Sequence, residues 1–284
     1  MSKKHYGVIG HPIGHTLSPF IHARLMELSG IDGDYGVFDV APGELSERFK
    51  TELSELDGFN ATIPHKQAVI PLLDETDETA ALYGSVNTVA FDRSGGKTRS
   101  KGCTTDGIGF TSALESAGIE MGSVVTIVGC GGVGRVFANT CAKQDCRLNI
   151  LECSAALGGA EDFAASINER FGEGTASVFL TEDYSGECDL LVNATPVGMA
   201  PNADACAVSD IVISGAKAVF DAVYNPSETL LVRKARALGK KAITGMTMLV
   251  YQAAAAQTFW NGSHFEKEDM EQLARDCFKE LERR

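Results

Sequence analysis

The chain has 284 residues, 44% hydrophobic and 22% charged, which fits an ordinary globular protein of one large or two modest domains and argues against disorder. Asp and Glu outnumber Lys and Arg by 38 to 25, and a net charge of -13 would repel a polyanion, so nucleic acid is not expected as a partner. The opening Met-Ser-Lys-Lys-His-Tyr-Gly has no apolar signal core, and apolar windows such as 124–134 are short and glycine-rich, so neither secretion nor a membrane is expected.

Strand-like and helix-like segments alternate from the start. Residues 6–10 read as a strand, 19–29 as a helix ending at Gly30, 35–40 as a strand and 42–56 as a helix. Strands follow at 58–63 and 85–91, and Ser94-Gly95-Gly96 turns the chain back into 98–102. A helix beginning near Asp106 then bridges to a second unit. There, 123–128 is a β-branched run of the kind buried on both faces of a parallel sheet. Helices at 132–143 and 159–171 alternate with strands at 147–151, 176–180, 190–193 and 218–221, the pattern of a doubly wound sheet. Two helices remain, 245–260 and 266–281, the last with Met270, Leu273, Ala274, Cys277 and Leu281 on one face. The fold class expected is α/β. The eight cysteines form no Cys-x-x-Cys pair and have no histidine at metal-ligand spacing, so reduced thiols in a cytoplasmic protein and no metal site are expected.

Directly after the buried strand comes Gly129-Cys130-Gly131-Gly132-Val133-Gly134, opening a helix. Gly129, Gly131 and Gly134 match G-x-G-x-x-G, whose glycines permit the turn, the approach of a pyrophosphate and the close packing of helix on strand. Amides at the helix N-terminus then hold phosphate. Glu152 lies 23 positions after Gly129, at the end of the next strand. A carboxylate there accepts from ribose hydroxyls and repels a 2′-phosphate, and no Lys or Arg occurs from Glu152 through Glu169, so NAD is the expected cofactor. A solvated turn is the bland alternative for Glu152.

Before the nucleotide unit, Thr16 and Ser18 stand ahead of a helix, with Ser18-Pro19 reading as an N-cap followed by Pro at the first helical position. The same hydroxyl pair suits a substrate carboxylate. Asn60 and Thr62 share one face of a strand, and Lys66 follows at its end. Asn87 interrupts another strand-like run, and Asp106 could cap the helix it opens.

In this order the motifs resemble the shikimate dehydrogenase family, including its quinate-using members. They are His15-Thr16-Leu17-Ser18-Pro19, Asn60-x-Thr62-x-Pro64-x-Lys66, Val86-Asn87-Thr88, Thr105-Asp106-Gly107 and the glycine loop. Asn193-Ala194-Thr195 with Gly198-Met199, Asp221 through Pro226, and Gly245-x-x-Met248-Leu249-x-x-Gln252 complete the set. The resemblance covers nearly the whole chain. It implies a substrate-binding domain over 1–105 with a mostly parallel sheet, a Rossmann-type nucleotide domain over 106–246, and C-terminal helices over 247–284 that return to the first domain. It also implies Lys66 and Asp106 as the catalytic pair, with Thr16, Ser18, Asn60, Thr62, Asn87, Tyr224 and Gln252 holding the substrate. On the cofactor side it brings Thr195, Val223, Gly245 and Met248 to the loop residues Gly129, Cys130, Gly131, Gly132, Val133 and Gly134 and to Glu152. Oxidation of a secondary alcohol sends a hydride to nicotinamide and a proton to a base, which is the task of Lys66. Asp106 would orient the lysine or share the proton.

Three positions depart from the family pattern. Glu152-Cys153-Ser154 stands where many NADP-using members have Asn-Arg-Thr, Thr16 replaces the usual Ser, and Thr104 replaces the usual Asn. The expectation is an NAD-dependent dehydrogenase, a monomer or homodimer, interconverting shikimate and 3-dehydroshikimate, with quinate and 3-dehydroquinate as a further pair. The competing readings are a primarily quinate-using enzyme, a dehydrogenase of another ligand such as a folate derivative, and a nucleotide- or shikimate-sensing module without chemistry.

Overall fold

The structure is a computed structural model and describes residues 3–14 and 16–283. The chain separates into two compact units, Met1–Gly109 with Val250–Arg284, and Phe110–Leu249. In the first unit, β1 (Lys4–Gly10), β2 (Gly33–Asp39), β3 (Gly58–Ala61), β4 (Glu75–Thr76), β5 (Thr88–Asp92) and β6 (Arg99–Cys103) form a sheet in the order β2-β1-β3-β5-β6-β4. Helices α1 (Ser18–Ser29), α2 (Leu45–Lys50), α3 (His65–Ala68) and α4 (Glu78–Tyr83) lie between the strands. β1 runs parallel to β2 and β3, because helical segments return the chain between them. The β5–β6 hairpin is antiparallel, as is β3 with β5, while β4 pairs parallel with β6. Three of the five ladders are therefore parallel. Ile9, Val40, Phe49, Phe59 and Val89 make the buried center of this unit.

Several boundaries differ from the sequence expectation, for local reasons. The helix expected over 42–56 is three pieces, a 3-10 turn Pro42–Glu44, α2, and a second turn Leu53–Glu55. Hydroxyls of Thr51 and Ser54 bond back to carbonyls at Glu47, Lys50 and Thr51, competing with a continuous helix. Leu45, Phe49 and Leu53 still face the core, at 3%, 8% and 0% exposure, which is why the period looked helical throughout. The strand expected over 58–63 stops at Ala61, and the one over 85–91 begins at Thr88. The N-cap of α1 is Leu17 without a side-chain bond, so Ser18 is the first helical residue and not the cap.

Helix α5 (Asp106–Ser116) contains the division between the units. The second unit then runs β7 (Val124–Val128), α6 (Gly132–Ala142), β8 (Arg147–Glu152), α7 (Leu157–Phe171), β9 (Ala176–Leu180) and β10 (Cys188–Asn193). It continues with α8 (Asp210–Gly215), β11 (Ala216–Asp221), α9 (Leu230–Ala237) and β12 (Lys241–Thr244). Its strands are all parallel in the order β12-β11-β10-β7-β8-β9. The order reverses between β7 and β10, the position where doubly wound sheets bind ligands at the carboxyl ends of their strands. One face is filled by Phe110, Phe137 and Phe220, with ring centroids 4.4 to 5.6 Å apart. Leu191, Val219, Leu231 and Val232 lie in the other core cluster.

Helices α10 (Met246–Asn261) and α11 (Lys267–Arg283) follow, and from Val250 onward they belong to the first unit. Trp260 of α10 stacks on Tyr6 of β1 at 4.5 Å and donates its indole hydrogen to the Val89 carbonyl (2.8 Å). On α11, Met270, Leu273, Ala274 and Cys277 are buried as the helical spacing requires.

Candidate active site

In the first unit the chain reverses sharply after β3, where the His65 amide donates to the Thr62 carbonyl (2.7 Å), and Lys66 follows within α3. The Val86 amide donates to the Lys66 carbonyl (2.8 Å), tying this turn to the segment that carries Asn87. Asp106 opens α5, 40 residues downstream, yet Lys66 Nζ donates to Asp106 Oδ2 at 2.5 Å. The lysine side chain is 26% exposed and the aspartate only 7%. Asp106 does not act as a cap detached from other chemistry. Its second oxygen accepts from Asn87 Nδ2 at 2.8 Å.

Asn87 is held on every side. Its Nδ2 also donates to Thr105 Oγ1 (3.0 Å), and its Oδ1 accepts from the Thr105 amide (2.9 Å) and from Thr88 Oγ1 (2.9 Å). Asn60 donates from Nδ2 to the Asn87 carbonyl and to Thr88 Oγ1, both at 3.0 Å. Gln252 of α10 brings Oε1 to 3.4 Å from both Asn87 and Thr105. Thr16 Oγ1 donates to Ser18 Oγ (3.0 Å) and accepts from the Ser18 amide (3.1 Å), a local turn that fixes the hydroxyl pair. Thr62 lies half-buried beside Gly10 at the end of β3. His15, the first residue of the His-x-x-Ser-Pro motif, lies outside the described residues. Thr104 donates to the Ser85 carbonyl and is 1% exposed, so this departure from the family pattern serves the framework.

The first unit thus brings Asn60, Lys66, Asn87, Asp106 and Gln252 into one hydrogen-bonded cluster. Such a cluster offers a paired cation and carboxylate beside oriented amides, the equipment for moving a proton on and off a hydroxyl. Thr88 and Thr105 entered the sequence reading as motif members without a role, and Tyr35 entered it only within a strand. Tyr35 donates to Asn60 Oδ1 at 2.7 Å, and its place in an ordinary strand carried no signal.

In the second unit the dinucleotide loop has the expected build. Gly129 has φ +90°, open to glycine without strain, and a Cβ at Gly134 would collide with the Gly129 carbonyl oxygen. Gly131 is the N-cap of α6, and nothing stands within 4 Å of where a Cβ would be at Gly131 or Gly132. Backbone amides at a helix start with open space beside them fit a pyrophosphate. Glu152 faces this loop, accepting from the Cys130 amide (2.8 Å) and, at its other oxygen, from the Cys153 amide (3.0 Å). A solvated turn does not describe it.

The stretch from Glu152 through Glu169 holds no Lys or Arg, and the cation that reaches the glycine loop comes from α6. Arg135, one residue past the last loop glycine, donates to the Cys130 carbonyl (3.2 Å) and the Gly159 carbonyl (3.4 Å) and lies 4.6 Å over the Phe163 ring.

Thr195 donates its amide and hydroxyl to Asn193 Oδ1 (3.0 and 2.7 Å), and its methyl lies against Gly129. Asn193 Nδ2 donates to Asp221 Oδ1 (2.8 Å), which also accepts from the Val223 amide (3.1 Å), while Thr229 donates to Asp221 Oδ2 (2.6 Å). Burial pushes the Asp221 carboxyl up, opposed by these three donors. Asn193 and Asp221 therefore clamp the loops that carry Thr195 and Val223. The Gly245 amide donates to the Val223 carbonyl (3.2 Å). Val133 is half-buried on α6, and Met248 is 8% exposed within the Phe110 and Phe137 core. Tyr224 belongs to this unit, and burial pushes its hydroxyl up. Among the described residues no group of His, Cys, Asp and Glu could hold a metal ion.

The family model described as the substrate binding domain of shikimate dehydrogenase matches residues 8–89. A shikimate dehydrogenase (NADP(+)) of Caldanaerobacter subterraneus is 37% identical over 269 residues, covering 93% of this chain and 94% of the relative. A crystal structure of shikimate 5-dehydrogenase from Listeria monocytogenes in complex with shikimate and NAD superposes with a TM-score of 0.85 at 28% identity, covering 95% of this chain and 96% of that one. A ligand-free 5-ketofructose reductase of Gluconobacter does so with a TM-score of 0.83 at 29% identity, covering 98% and 99%.

Proposed function

Because the chain belongs to the shikimate dehydrogenase family, we propose that it interconverts shikimate and 3-dehydroshikimate with NAD, and quinate and 3-dehydroquinate as a further pair. We assign the substrate domain, expected over 1–105 and 247–284, to the first unit, which also takes in Asp106, and the nucleotide domain, expected over 106–246, to the second, which also takes in Met248. The observation that carries the reading is the Lys66–Asp106 pair, held at 2.5 Å inside a buried amide cluster. A sensing module would have no need to set a partly exposed cation on a buried carboxylate, since burying that charge is costly.

As the free amine Lys66 takes the hydroxyl proton while the alcohol becomes a ketone, and as the ammonium paired with Asp106 it returns that proton in the reverse direction. Asp106 holds the lysine in place, and Asn87 holds Asp106. Thr16 and Ser18 bind the substrate carboxylate, with Asn60, Thr62, Gln252 and Tyr224 on the remaining polar groups. A bound dinucleotide supplies the hydride acceptor. Its pyrophosphate is held by amides of the loop from Gly129 to Gly134, its ribose by Glu152, and its nicotinamide end by Thr195, Val223, Gly245 and Met248. The preference for NAD rests on the Glu152 carboxylate seated on the Cys130 amide. Arg135, on α6 and bonded to the loop's Cys130 carbonyl, favors a second reading, in which NADP is used and its 2′-phosphate neutralized by that guanidinium.

No helix among the described residues is long and apolar enough to cross a membrane. Eight free cysteines support a reducing, cytoplasmic setting. A spectrophotometric matrix tests the reading, with shikimate and quinate each assayed with NAD and NADP, and 5-ketofructose with the reduced form of each. Faster turnover of shikimate with NAD than with NADP is expected. Equal rates with both cofactors overturn the Glu152 argument, and turnover confined to 5-ketofructose overturns the substrate.

A further inference from the structure

From Tyr35 to Lys66 the polar side chains of the first unit make one continuous run of hydrogen bonds with a fixed direction. Asn60 Nδ2 donates to the Asn87 main-chain carbonyl (3.0 Å), a group that can only accept, which settles the orientation of the Asn60 amide. Oδ1 is then the atom that faces Tyr35, and the tyrosine hydroxyl donates to it at 2.7 Å. Burial pushes that hydroxyl well above the ordinary tyrosine range, so it keeps its hydrogen. The other hydrogen of Asn60 Nδ2 goes to Thr88 Oγ1 (3.0 Å), on the residue directly opposite in the β3–β5 ladder.

Thr88 Oγ1 thus accepts from Asn60, and its own hydrogen goes to Asn87 Oδ1 at 2.9 Å. The Thr105 amide donates to the same oxygen (2.9 Å), so the nitrogen of the Asn87 amide is turned the other way, onto Asp106 Oδ1 (2.8 Å). Asp106 Oδ2 accepts from Lys66 Nζ at 2.5 Å. Thr88 is 0% exposed, and Asn60, Asn87 and Asp106 are buried with it, so the protein itself supplies the partners of these groups. Valine has the shape of threonine and would fill this place without a polar group to bury, so the hydroxyl is there for the bonds it makes.

We propose that Thr88 is a positioning residue for the proton-transfer pair, its hydroxyl holding the Asn87 amide with the nitrogen on Asp106 so that the carboxylate stays aimed at Lys66. This rests on the reading of Lys66 and Asp106 as that pair. Thr88→Val keeps the shape and removes the hydroxyl. The expected result is a fall of about tenfold in kcat for shikimate, the scale of a reacting group displaced by a fraction of an ångström, with KM within about threefold. Thr88→Ser puts the hydroxyl back and is expected to recover kcat to within about threefold of the parent. In the Lys66→Ala background Thr88→Val is expected to cost less than about twofold, because a residue that acts through Lys66 has nothing left to aim.

A Thr88→Val kcat within about twofold of the parent overturns the proposal, as does a serine that fails to restore the rate. An equal loss in both backgrounds also overturns it, since general damage to the fold lowers both. Should Thr88→Val not fold, Thr88→Ala removes the hydroxyl without setting a new methyl against the two amides and is judged by the same comparison. A parent that turns over neither shikimate nor quinate overturns the proposed function and this proposal with it. An active parent matched by its valine variant overturns this proposal alone.

Discussion

At the scale of residues, Lys66 and Asp106 divide the work unequally. The aspartate side chain is 7% exposed and gains two directed donors, whereas the lysine side chain stays 26% exposed. Lys66→Ala should lower kcat for shikimate by about a hundredfold or more, the usual scale of a lost proton-transfer group, with KM changed only a few-fold. Steady-state kinetics decide it, and a kcat within tenfold of the parent removes Lys66 from the proton-transfer role. Glu152→Arg with Ser154→Thr should move the ratio of kcat/KM from NAD toward NADP by more than about tenfold. No movement would mean that Glu152 serves only the Cys130 and Cys153 amides. Glu152 could be found from spacing alone. Arg135 bonds the loop directly at the Cys130 carbonyl five positions back, whereas its reach to the Gly159 carbonyl on α7 depends on the fold.

Among elements, the junction of β7 with α6 is the one whose sequence and geometry are most tightly bound. A Cβ at Gly134 meets the Gly129 carbonyl, while one at Gly131 meets nothing within 4 Å. Gly134→Ala should therefore cost stability, about 1 to 3 kcal/mol as for other overpacked sites, and lower the thermal midpoint of the second unit. Gly131→Ala should leave that midpoint nearly unchanged and instead raise KM for the dinucleotide, since the added methyl enters the space beside the helix amides. Calorimetry of both variants distinguishes the two glycines. Equal midpoints would refute the close-packing role of Gly134. Long periodic elements such as α7 and α11 were legible within two residues of their ends. The run over 42–56 was not, because its apolar residues keep helical spacing across turns that Thr51 and Ser54 interrupt. Short pieces such as α3, α8 and β12 hold too few residues for a period to show.

On the scale of the whole molecule, acid should weaken the first unit before it touches most carboxylates. His22 titrates near 6.5 when unfolded and is held at about 3 when folded, so between those values the unfolded chain binds more protons. Stability from this group is complete above about 6.5 and falls as pH drops toward 3. Asp189, held at about 2 by Lys217 and two amides, loses its contribution only below the ordinary carboxylate range. Urea unfolding followed by Trp260, the single tryptophan and a member of the first unit, should show this slope. In His22→Phe the slope between about pH 6 and 4 should shrink by about 1.4 kcal/mol per pH unit, one proton's worth. An unchanged slope would mean that His22 is not the buried neutral base.

The sequence by itself determined the α/β class, the doubly wound second unit, the loop from Gly129 to Gly134 and the place of Glu152. Each of these is a matter of period or short spacing, and such features are properties of neighboring residues. It also pointed, through the resemblance, to Lys66, Asp106, Asn87 and Gln252 as a set. Only the tertiary structure decided that Lys66 meets Asp106 across 40 positions, that Gln257 meets His22 across 235, and that Asn60 is oriented by Tyr35. The physical reason is that a hydrogen bond between distant residues is settled by sheet order and by the return of α10 to the first unit. Arg135 makes the same point, since only the fold sets its guanidinium over the Phe163 ring and against the Gly159 carbonyl of α7.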